Sequence, residues 1–135
     1  MSEVVKTRPR FGVMRLIDAT GYRLPLAGFV SILHRASGML MFLLLPFILY
    51  LLDKSLTSEL TFAELQGFTS HVFVKLVILA LVWAYLHHFC AGIRHLFMDL
   101  HFGLNKESAR QSAVSVLVIS LGLAALTGLK LFGVF

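Results

Sequence analysis

Cysteine is almost missing from this chain: Cys90 is the only one, and it lies within an apolar stretch. No disulfide framework can form within the chain, and one thiolate cannot hold an iron–sulfur cluster. There is no CxxCH segment, which excludes covalent c-type haem attachment. Charge is scarce too. Asp, Glu, Lys and Arg make up 14% of the 135 residues, where a soluble domain carries about 25%. Acids are fewest where bases gather. Only Glu3 and Asp18 stand against Lys6, Arg8, Arg10, Arg15 and Arg23 ahead of the first apolar run. That run is too long for the core of a signal peptide and no A-x-A-like site follows it, which argues against a cleaved leader. There is no internal repeat and no low-complexity segment.

What the chain has instead is apolar length. It is 58% hydrophobic with mean hydropathy +0.85, against roughly 45–50% apolar residues in soluble domains. Such an excess signals membrane spans. Three continuous runs, at about 29–52, 72–98 and 113–131, predict an all-α integral membrane protein with three transmembrane helices. Barrel strands would instead alternate over about ten residues. Pro46 inside the first run predicts a kink. The expected organisation is a basic N-terminal segment, 1–28, and a three-helix transmembrane domain, 29–135. The connection 53–70 reads as polar. "GLAALTG", 122–128, offers small residues for close helix packing. The second connection carries His101, Lys106, Glu107 and Arg110. With three spans it shares a side with the basic N-terminal segment. The positive-inside rule makes that side cytoplasmic and puts the C-terminus in the periplasm. Lys75 and Lys130, near the outer helix ends, can snorkel to the headgroups. No Arg- and Ser-rich transit peptide is recognisable, which favours a bacterial inner membrane over a mitochondrial one.

One apolar segment holds groups that a bilayer disfavours. "YLHHFCAGIRHLFMDLHFG", residues 85–103, contains four of the six histidines, an arginine and an aspartate. On a helix, His88, Gly92, His95 and Asp99 form one stripe. His88 lies roughly 15 Å from the cytoplasmic end of its span, and His95 lies much nearer that end. A deep neutral histidine can ligate a metal, and Gly92 leaves clearance for a flat macrocycle or another helix. The stripe is consistent with a haem site. It is also consistent with His88 hydrogen-bonding across helices as structural glue, and with His95 and Asp99 as an interfacial ion pair. His87 competes with His88 for any ligand role. Arg94 lies on a different face, near that of His87.

The first span supplies a second constellation. Ser31 and Arg35 are one turn apart, with His34 and Ser37 nearby. A hydroxyl and a guanidinium can donate hydrogen bonds to a quinone carbonyl and stabilise charge as it develops. Arg35 could equally anchor the helix on lipid phosphates.

Together, "SILHRASG" at 31–38 and "HFCAGIRHLFMD" at 88–99 strongly resemble the cytochrome b-type membrane-anchor subunits of succinate dehydrogenase, respiratory complex II. "RPRF" and "YRLPLAGFVSILHR" resemble the family's approach to its first helix. The resemblance covers most of the chain, from about Arg8 through the third helix. It implies that His88, four residues before the glycine of GIRH, ligates haem b. It implies that His95 and Arg35 lie near the haem propionates, and that Ser31 and Arg35 belong to a ubiquinone site. His34 and Asp99 match positions associated with that neighbourhood, and the extra histidine His87 departs from the pattern. The implied partners are a second small membrane subunit, an iron–sulfur subunit and a flavoprotein, with no catalysis by this chain alone. A second axial ligand is expected from the partner membrane chain. His71 is too distant, His95 shares the helix of His88, and His34 reads as nearer the membrane surface than His88. A quinol:fumarate reductase anchor, or a cofactor-free small helical transporter or assembly protein, are the alternative expectations. A transporter would show broken helices or repeated halves, and the sequence has neither.

Overall fold

A computed structural model describes residues 12, 17, 21 and 23–134. The leader bases Lys6, Arg8, Arg10 and Arg15 and the "RPRF" segment therefore lie outside the described residues. Among the described residues there are four helices and no strand: α1 Leu26–Thr57, α2 Glu59–Thr69, α3 Val72–Asp99 and α4 Lys106–Leu131. Helices α1, α3 and α4 have 32, 28 and 26 residues and are apolar enough to cross a membrane. At 1.5 Å per residue they are roughly 48, 42 and 39 Å long, each more than the ~30 Å hydrocarbon core.

Local chemistry sets the boundaries. Pro25, with φ −64°, precedes the first turn of α1 and costs that turn no hydrogen bond that it could have made. The helix then continues through Pro46. Ser58, extended at φ −161°, ends α1 and at once caps α2, accepting the Thr61 N–H on its hydroxyl at 3.2 Å. The connection expected to be merely polar therefore contains a helix, separated from α1 by one residue. Its signal was this serine followed by Glu59 in the first turn, which the surrounding Thr and Ser residues obscured. After α3 the chain reverses through His101 and Gly103, both left-handed at φ 64° and 72°. Asn105 then caps α4 by accepting the Ser108 N–H at 2.7 Å. This cap starts α4 seven residues before the apolar run does.

Small side chains dominate the packed interior. Val30, Ala91, Ala113 and Val116 form a cluster where the start of α1, the second half of α3 and the start of α4 meet. Along α4 the buried residues are Ala113, Val116, Ser120, Ala124 and Gly128, one stripe at helical spacing. The small-residue segment of the third span is thus divided. Ala124 and Gly128 face the interior, while a methyl on Gly122 would meet nothing within 4 Å. Large apolar residues mostly point outward; Phe42 and Phe73 are 75% and 76% exposed. Such a surface requires lipid or partner helices around it rather than water. Near the far end Lys75 places its ammonium 5.6 Å from the centroid of the Phe132 ring.

A Cβ added at Gly128 would stand 3.3 Å from Leu79 Cδ2. Gly128→Leu should therefore overpack the α3–α4 seam and cost about 1–3 kcal/mol, whereas Gly122→Leu should be close to neutral. Thermal unfolding of the detergent-solubilised protein in its native assembly checks this. Equal melting temperatures for the two variants would contradict the packing described.

Candidate functional site

Helices α1 and α3 run antiparallel, so the first half of α1 faces the second half of α3. Four polar side chains meet there. His88 Nδ1 lies 2.9 Å from the His34 carbonyl oxygen and 3.2 Å from Ser37 Oγ. A carbonyl only accepts, so Nδ1 carries the proton and donates it. The Ser37 hydroxyl donates to the same carbonyl at 2.9 Å. Its oxygen is then free to take a second share of the Nδ1–H. The tautomer follows: Nε2 of His88 holds the lone pair, and among the described residues it has no hydrogen-bond partner.

The ring of His34 stacks on that of His88, with centroids 4.1 Å apart and planes 13° from parallel. His95 closes the group, its ring 5.0 Å from that of His34. Its Nε2 is buried with no hydrogen-bond partner among the described residues. The His34 ring thus lies between those of His88 and His95, carried there by a helix that starts at Leu26. Stacked face to face, the His34 ring lies beside that of His88 rather than in line with its Nε2.

Two glycines line the cluster, with unequal demands. A Cβ on Gly92 would sit 3.5 Å from His34 Nε2, an ordinary contact. A Cβ on Gly38 would sit 2.7 Å from His88 Cε1, a clash. The tight clearance within the chain is therefore at Gly38, which the sequence reading left without a role. The signal was available: residues 34, 37 and 38 lie at i, i+3 and i+4, one face of a helix.

His87 and Arg94 lie on another face of α3, as their spacing indicates. His87 is 1% exposed and Arg94 7%. His87 Nε2 approaches the Val30 carbonyl at 3.5 Å, and its Nδ1 is buried without a partner among the described residues. The Trp83 ring is 5.7 Å away. The Arg94 Nε–H donates to Ser112 Oγ at 2.9 Å, and Nη2 reaches the Ala109 carbonyl at 3.5 Å. These two residues tie α3 to α1 and α4 respectively.

The remaining expected residues are less engaged. Ser31 is half-buried and Arg35 exposed, one turn apart on α1. Neither side chain makes a hydrogen bond among the described residues, so both keep their donors. Asp99 is exposed as the last residue of α3. An apolar groove of about 720 Å³ runs between α3 and α4, but none of His34, Ser37, His88 or His95 lines it.

The donor set discriminates among metals. Among the described residues no three His, Cys, Asp or Glu side chains converge to hold an ion. His88 offers a single neutral imidazole nitrogen whose tautomer is fixed. A metal that brings its own equatorial ligands, such as a haem iron, fits this arrangement; a bare ion, which needs several protein ligands, does not.

Comparison with known proteins gives a consistent result. A family model described as the succinate dehydrogenase/fumarate reductase transmembrane subunit matches residues 16–127. The succinate dehydrogenase cytochrome b556 subunit of Coxiella burnetii is 37% identical over 113 residues, covering 83% of this chain and 90% of that protein. The protein of the same name from Paracoccus denitrificans is 35% identical over 111 residues, covering 82% and 85%. The mitochondrial succinate dehydrogenase cytochrome b560 subunit of Bos taurus is 34% identical over 117 residues, covering 82% and 68%. The family match spans the His34–His88–His95 cluster, all of α1 and α3 and most of α4, and the chain belongs to the succinate dehydrogenase/fumarate reductase transmembrane subunit family.

Proposed function

We propose that this chain is the membrane-anchoring cytochrome b-type subunit of a succinate:ubiquinone oxidoreductase. One observation carries the reading at residue level. The His34 carbonyl takes the Nδ1 proton of His88 and leaves Nε2 as a free ligand within a helix long enough to cross the bilayer. The relatives named above are all succinate dehydrogenase subunits, which favours succinate oxidation over the fumarate-reducing direction. They also disfavour a cofactor-free transporter or assembly protein.

In this reading His88 ligates a haem b, which supplies a one-electron redox centre. A second small membrane subunit would supply the other protein ligand, so the haem would join two chains. Arg35 and His95 face the propionates. Ser31 and Arg35, whose donors have no hydrogen-bond partner among the described residues, bind and orient the ubiquinone carbonyl, with His34 and Asp99 at its margin. The guanidinium stabilises negative charge on the quinone oxygen as electrons arrive. The flavoprotein and iron–sulfur subunits dock on the cytoplasmic side of a bacterial inner membrane. Lys106 and Arg110, in the first two turns of α4, support this orientation, as does the basic 1–28 segment.

Three outcomes follow. Expressed with its partner subunits, the chain should give a low-spin bis-histidine b-type spectrum. His88→Ala should abolish it and His87→Ala should retain it, read by visible absorption and electron paramagnetic resonance. The reverse pattern would identify His87 as the ligand.

Ser31→Ala and Arg35→Ala should lower succinate:quinone reductase activity roughly tenfold or more, the value of a hydrogen bond to a charged or charging group. Succinate oxidation by an artificial dye should persist, because the flavin lies on another subunit. Unchanged quinone kinetics in the assembled double variant would remove both residues from the quinone site.

Reporter fusions should place the N-terminus in the cytoplasm and the C-terminus in the periplasm. Both termini on one side would rule out three crossings.

A further inference from the structure

Haem ligation by His88 leaves open what aims the ring. An imidazole on a helix turns about two side-chain torsions, and a ligand must hold one of those settings. Two features of α1 restrain His88 from different directions. Ser37 acts on the Nδ1 edge. Its Oγ sits 3.2 Å from Nδ1 while its proton is spent on the His34 carbonyl at 2.9 Å. The hydroxyl is thereby oriented with a lone pair toward the ring. Gly38 acts on the Cε1 edge, where a methyl would stand 2.7 Å from that carbon. Serine and glycine are adjacent on α1, so the ring has a hydrogen-bonded stop and a steric stop on consecutive residues. The parallel His34 ring covers one face at 4.1 Å.

We infer that Ser37 and Gly38 are positioning residues for the haem ligand, acting through His88: Ser37 by sharing its Nδ1 proton, Gly38 by leaving the space in which its ring lies. The inference rests on His88 being the ligand, as proposed above. An acceptor on Nδ1–H makes the imidazole more electron-rich and favours ferric over ferrous iron. Ser37 thus contributes to the redox potential as well as to orientation. Removing it leaves the His34 carbonyl as the remaining acceptor, so the ligand stays but its basicity falls. Adding a methyl at Gly38 displaces the ring itself, because the clashing atom belongs to the ligand.

The test uses the assembled membrane complex with haem bound. Ser37→Ala should keep haem stoichiometry, raise the midpoint potential and alter the low-spin electron paramagnetic resonance signal. Ser37→Thr, which restores the hydroxyl, should return both to the parent values. Gly38→Ala should weaken haem retention on the order of 10-fold or more, in the range found when a ligand's supporting contact is lost, with part of the haem turning high-spin. Parent potential and spectrum in Ser37→Ala would overturn the role of Ser37. Full low-spin haem retention in Gly38→Ala would overturn that of Gly38. Should Gly38→Ala fail to assemble, Ser37→Ala with its threonine rescue decides the matter. His88→Ala separates this inference from its premise. Loss of the low-spin signal there, with no effect at Ser37 or Gly38, removes only the positioning roles. A retained signal removes His88 as the ligand.

Discussion

The hydrogen bond from His88 to the backbone carbonyl of His34 is the constraint on which this structure turns. It crosses from α3 to α1 inside a segment where water cannot compete, so the donor and acceptor have each other or nothing. It fixes the depth at which the two helices meet and the tautomer of the histidine. It also fixes the direction in which the free nitrogen can act. A side-chain acceptor could swing away, whereas a backbone carbonyl in a helix cannot. The ligand is therefore referenced to the most rigid part of the neighbouring element.

The two adjacent histidines show how one helical step separates function from framework. A residue turns by about 100° between neighbours. That rotation carries His87 into the seam beside Val30 and Trp83, and His88 into the cluster with His34 and Ser37. The same rotation assigns Arg94 to α4 and leaves His95 with His34. Two sets of polar residues thus occupy one apolar helix without mixing. One set closes the bundle, and the other stays open toward whatever the bundle binds.

Much of this was legible in the sequence because its signals were periodic. Apolar runs of crossing length give the three long helices directly, and the i, i+4, i+7 spacing gives the stripe of His88, Gly92 and His95. The separation of Arg94 and His87 from that stripe also follows from spacing alone. What spacing hides is the relation between helices. It does not tell that the ring of His34 stacks on that of His88. Nor does it tell which glycine a ring from another helix will approach, so Gly92 drew the attention that Gly38 required. Helix α2 was missed for a different reason. It is short and polar-flanked, and its boundary depends on one serine serving two helices, which no hydrophobic pattern encodes.

That shared serine has a consequence for depth. Helix α1 is longer than the bilayer core is thick, so its own composition does not settle where it stops sliding. Ser58 leaves a single residue between α1 and α2, and α2 cannot follow α1 through the core: it carries Glu59, Glu64 and Gln66. It therefore acts as a collar at one membrane surface. Counting inward from Leu52, the last apolar residue before Asp53, about 20 residues fill a core of roughly 30 Å and end near Leu33. Ser31 and Arg35 straddle that boundary. A collar at one face thus works as a ruler for the other, holding a hydroxyl and a guanidinium at the level where lipid tails give way to headgroups.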